Sequence, residues 1–100
     1  FAVRRRRALR SDDVDGRAWK QAVPEIIGLQ AVTMALGEAD RLDPEQRAVG
    51  IDRARVLIER HTANLHAAFG TTDLPPTLVE LLTDAWSAVK AAETIDSQPQ

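Results

Sequence analysis

Two histidines, six glutamates, three serines and a run of four arginines are the side chains of this 100-residue chain best placed to do chemistry, and their spacing limits what they can do. His61 and His66 are the side chains whose ordinary pKa lies near neutrality. Five residues apart, they sit about 140° around a helix, so they cannot clamp one metal as an i, i+4 pair can. His61 falls on an apolar seam, where it reads either as a ligand or proton-transfer group in a bundle cavity or as a hydrogen-bonded core histidine. No spacing supplies it with a carboxylate, which favours the structural role and leaves His61 as the candidate polar group of a pocket.

A di-metal bundle needs inward-facing Glu-x-x-His pairs, and the sequence contains none. Glu25, Glu38, Glu45, Glu59, Glu80 and Glu93 project mostly from caps or polar faces. Nucleophilic catalysis needs a base and an orienting group beside a Ser or Cys. Ser11, Ser87 and Ser97 fall in a loop, on a polar face and in a tail, and cysteine is absent. The five glycines are scattered singly, so no loop cradles a phosphate. The expectation is therefore no catalytic residue, no metal and no cofactor.

The arginines form the strongest local feature. Arg4, Arg5, Arg6, Arg7 and Arg10 stand in the first ten residues without an acid, whereas the remaining ninety carry eight bases against fifteen acids. This reads as a basic arm on an acidic body. The arm could flank a membrane helix on its cytoplasmic side, contact nucleic-acid phosphates, or lie solvated against the protein's own acidic surface. Bases and acids are interleaved along the helices, and no aromatic residues alternate with the bases, so a nucleic acid is the least favoured partner. The chain opens on Phe1, which suggests a fragment of a longer protein or a processed form.

These residues must be positioned by helices. The chain is 44% hydrophobic but only 4% aromatic, so its core must be aliphatic, and Ala and Leu favour helix. One domain is expected. The most apolar window, 21–37, is short of the roughly 20 apolar residues a membrane span requires.

Residues 1–16 read as the basic arm and a turn, 17–95 as the helical bundle and 96–100 as a polar tail. Helices are expected over about 17–40, 44–69 and 74–95. The first begins after the Ser11–Gly16 cluster, with Pro24 as a kink or restart. It shows two apolar stripes: Trp19, Val23, Ile27, Ala31 and Met34 on one side, and Leu29, Val32 and Leu36 nearly opposite. The second helix has the clearest start, with Asp43 as N-cap, Pro44 at the first position and Gln46 completing a capping box, and Gly70 ends it. Its seam is Ile51, Ala54, Ile58, His61, Leu65 and Ala68. The third starts at Asp73 or at a Thr77/Glu80 capping box, with Leu78, Leu81, Leu82, Ala85, Val89 and Ala92 on its apolar face.

The sequence thus predicts an all-α, up-down-up three-helix bundle that completes its core by self-association, a dimer being favoured. Leu29, Val32 and Leu36 are the expected interface, joined by Val49 and Val56 from the second helix. The expected function is non-catalytic: a helical oligomerisation or protein-interaction module, cytoplasmic, with the arm available to tether it to the inner face of a membrane. A ligand-sensing bundle with a pocket at Ile27, Met34, Ile58 and Leu82, anchored by His61, is the alternative. Non-specific nucleic-acid binding through the arm ranks third.

Overall fold

The computed structural model describes the backbone of residues 2–97 and the side chains of residues 16–95. Helix α1 spans Ala2–Gly37, α2 Pro44–Phe69 and α3 Pro76–Ser97, with a short 3-10 turn at Ala39–Arg41. No strand occurs among the described residues.

Helix α1 starts well before the expected boundary near residue 17. The stretch read as an arm and turn is helical from Ala2. The reason is summed propensity: Ala, Leu and Arg between residues 2 and 10 are good helix formers. The Ser11–Asp15 cluster lowers that propensity without breaking it. Pro24 also lies inside α1 rather than at a boundary. Its ring removes one i→i−4 hydrogen bond, and the helix passes through it on an exposed face. The α-helix ends at Gly37, and the chain then tightens into i→i+3 bonds. Glu38 N–H donates to Ala35 O, Arg41 N–H to Glu38 O and Leu42 N–H to Ala39 O.

The ends of α2 follow from local chemistry. Asp43 Oδ1 accepts from the backbone N–H of Gln46 at 2.8 Å, satisfying one donor of the first turn. At the other end Gly70 adopts φ 68°, the left-handed conformation that a side chain would disfavour. Thr71 N–H then reaches back to His66 O at 3.2 Å. Helix α3 begins at Pro76, so Thr77 already lies inside the first turn rather than capping it. The carbonyl of Pro75 accepts from both Leu78 and Val79 instead.

Contacts fix the topology. Trp19 on α1 meets Phe69 on α2 edge-to-face, with ring centroids 5.5 Å apart, while Arg47 near the start of α2 reaches Ala39 just beyond the far end of α1. These two helices are therefore antiparallel. Arg55 on α2 pairs with Glu93 on α3 at 2.6 Å, which places the middle of α2 against the end of α3. The three helices pack against one another around Leu29, Ile58, Leu65, Leu78 and Val89, all essentially inaccessible to solvent.

The core overturns one expectation. Leu29, Val32 and Leu36 are 0%, 8% and 7% exposed, buried within the single chain, and so are not an interface left open for a second one. They belong to a longer seam, Ala18, Ala22, Glu25, Leu29, Val32, Leu36 and Ala39, spaced alternately four and three residues apart. Small alanines and one acid at its beginning make this stripe look weak in sequence. Its regular spacing keeps it facing α2 and α3 along their whole shared length.

Candidate functional site: the outward faces and the Glu25–His61 pair

Placing that seam inward turns the other stripe of α1 outward. Val23, Ile27 and Met34 are 49%, 60% and 74% exposed. They lie about 120–160° around α1 from Leu29, at positions separated by four and seven residues, with Gln30 between. Val49 and Val56 are also exposed, on the side of α2 opposite its seam, where Arg53 and Arg60 interrupt the apolar surface. The structure therefore does not bring the five expected interface residues together. Three are core and two are surface. The missed residues, Val23, Ile27 and Met34, were visible in sequence as a stripe; its orientation was not.

Each inward seam of the α1–α2 pair carries polar members, and these find one another or the backbone. His61 Nδ1 lies 3.2 Å from Glu25 Oε1, and Asn64 Nδ2 donates to the same oxygen at 2.7 Å. Because a carboxylate can only accept, Nδ1 is the donor in this contact. The partner for His61 that no local spacing specified is thus a carboxylate from the facing helix. The Asn64 amide, with His61 beside it, holds the Glu25 carboxyl below its usual value against the opposing effect of burial.

Nε2, the remaining ring nitrogen, faces the α1 backbone. A Cβ on Gly28 would stand 2.5 Å from it, so the glycine makes room for the ring. In this position Nε2 abuts main chain rather than an open cleft. The arrangement can cross-brace α1 to α2 through a polar pair. It offers no hydroxyl or thiol for the imidazole to activate.

Arg47 is the buried cation among the described residues. Its Nε donates to Ala39 O at 2.9 Å and Nη2 to Leu42 O at 2.7 Å. The guanidinium thereby adds a second hydrogen bond at Ala39 O, which already accepts from Leu42 N–H, and satisfies the carbonyl of Leu42 just after the 3-10 turn.

The pocket expected at Ile27, Met34, Ile58 and Leu82 is not formed. Ile27 and Met34 point to solvent, Ile58 is central to the core, and Leu82 flanks a different groove. That groove, about 430 Å³, runs between α2 and α3 past His66, Leu74, Val79, Trp86 and Lys90. A smaller apolar depression of about 200 Å³ lies between α1 and α2 over Val32, Leu36, Ile51 and Leu57. His61 lines neither.

Among the described residues no three of His, Asp and Glu converge as a metal site would require. None of the helices, over those residues, is long and apolar enough to cross a membrane. The side chains of Arg4, Arg5, Arg6, Arg7 and Arg10 lie outside the described ones. No protein-family model matches this chain, and neither curated proteins nor solved structures give a significant match.

Proposed function

We propose that this chain is a non-catalytic helical module for oligomerisation or protein interaction, working through the outward face of α1. The observation that carries the reading is the exposed stripe Val23, Ile27 and Met34 on a bundle whose core is already filled by the opposite side of the same helix. Folding of the single chain does not need these residues, yet they are apolar and aligned. Fully burying each is worth about 1.5–3 kcal/mol before the costs of association, so a partner gains from covering them.

The arginines at the start of α1 extend this reading. Carried on the same helix as the stripe, Arg4 to Arg7 are suited to a membrane surface or an acidic partner at the N-terminal end of the module. In that form it is the cytosolic part of a membrane-anchored protein.

The test is a pair of variants followed by light scattering and circular dichroism. Ile27→Glu with Met34→Glu should leave helix content and the melting temperature nearly unchanged while abolishing association. Unchanged association in that double variant, with the fold intact, overturns the assignment of this face.

A further inference from the structure

The outward seam of α1 has the same spacing read from either end. Val23, Ile27, Gln30 and Met34 are separated by four, three and four residues. Two such helices laid antiparallel across a two-fold axis bring Val23 of one copy level with Met34 of the other, and Ile27 level with Gln30. The apolar residues are then shared evenly between the ends of the interface.

The charges flanking the seam select the direction. Arg17 and Lys20 stand at its beginning, Glu38 and Asp40 at its end, and all four are exposed. In the antiparallel arrangement Arg17 comes within two residues, about 3 Å, of the level of Glu38 of the second copy, and the two-fold axis repeats that pair. In a parallel arrangement Lys20 stacks on Lys20 inside the seam, which repels. Glu38 already has a loose contact with Arg41 at 3.8 Å, fully on the surface, and such a pair yields readily to a better-placed cation.

We infer that the partner of the outward face of α1 is a second copy of this chain, packed antiparallel with Arg17 of each copy opposite Glu38 of the other. This rests on the reading of that face as an interaction surface. A seam of four residues covers less than the roughly 800 Å² per partner typical of a stable complex, so the dimer is weak and forms reversibly with concentration.

The chain lacks cysteine, so a single introduced thiol reports on geometry without interference. Gly16 is exposed with no heavy atom near the place of a Cβ, and Gly16→Cys takes a spin label on the same face of α1, one turn before Lys20 and two turns before Val23. In the antiparallel dimer the two labels are separated by about 25 residues of helix, or about 37 Å. In a parallel dimer they lie within about 15 Å, roughly one helix diameter plus the labels' reach. Glu38→Arg should weaken dimerisation about threefold to tenfold, and adding Arg17→Glu should restore it.

Pulsed electron–electron distance measurement on the full chain, at a concentration where it is dimeric, decides the register. A dimer sensitive to Ile27→Glu with Met34→Glu but with a short label distance overturns the antiparallel pairing and leaves the interaction face standing. A chain that stays monomeric at millimolar concentration overturns both.

Discussion

The Nε2–Cε1 edge of the His61 imidazole lies against α1 at Gly28, so close that a Cβ at position 28 would come within 2.5 Å of Nε2 and 2.6 Å of Cε1. Glycine in mid-helix costs about 1 kcal/mol relative to alanine, and here the ring occupies the space that alanine would need. The close approach also puts Nδ1 within reach of Glu25, one turn earlier on α1.

The sign of a Gly28 substitution therefore depends on residue 61. Gly28→Ala alone should destabilise the chain by about 1–3 kcal/mol, because the ring or the helix must move. In a His61→Ala background the same change should stabilise by up to about 1 kcal/mol, since only the propensity gain remains. Denaturant unfolding of the four proteins in this cycle measures the coupling. A Gly28→Ala effect of the same sign in both backgrounds contradicts the steric account.

Acid should weaken the α1–α2 brace in a defined window. The Asn64 amide, and His61 after it, lower the Glu25 carboxyl below its ordinary value of 4.5. A depressed carboxyl stabilises the folded chain above the unfolded value, and that contribution is lost as pH falls through the folded value beneath it. The difference in melting temperature between the native chain and Glu25→Gln should therefore be constant near neutrality and shrink below about pH 4.5. Thermal melts from pH 7 to pH 3 test this, and a gap that does not change across that range counts against it.

The two stripes of α1 should respond oppositely to truncation. Leu29 is fully buried, and Leu29→Ala should cost about 2–5 kcal/mol of folding stability. Ile27→Ala and Met34→Ala remove mostly exposed atoms, and each should change the stability of the single chain by less than about 0.5 kcal/mol. Chemical denaturation at low protein concentration, where association does not contribute, separates the two stripes. Equal costs at Leu29 and Ile27 contradict the orientation of the helix.

Much of the architecture was legible because local rules marked it. Asp43, Pro44 and Gln46 announce the start of α2 by cap chemistry, and Gly70 announces its end through a backbone angle that glycine adopts freely. The beginning of α1 was hidden because Ser11, Asp12 and Asp13 resemble a helix start, while the helix-forming residues before them outweigh that signal.

The orientation of α1 was hidden for a different reason. Hydrophobic weight alone favours neither stripe, and the inward one is diluted by Ala18, Ala22 and Glu25. Those residues are acceptable inside because the alanines let α1 approach its neighbours closely and Glu25 meets His61. That meeting joins residues 36 positions apart, a relationship that no periodicity along one helix contains. The surface assignment followed the same error, since misplacing the core stripe necessarily misplaces the exposed one.

The most direct measurement is solution mass by light scattering over a concentration series, made on the full chain and on a chain lacking residues 1–10. If the outward face of α1 is an association surface, both proteins should rise from their own monomer masses, 11.0 kDa for the full chain, towards twice those values as concentration increases. A mass fixed at that of the monomer for both, up to millimolar concentration, would contradict it.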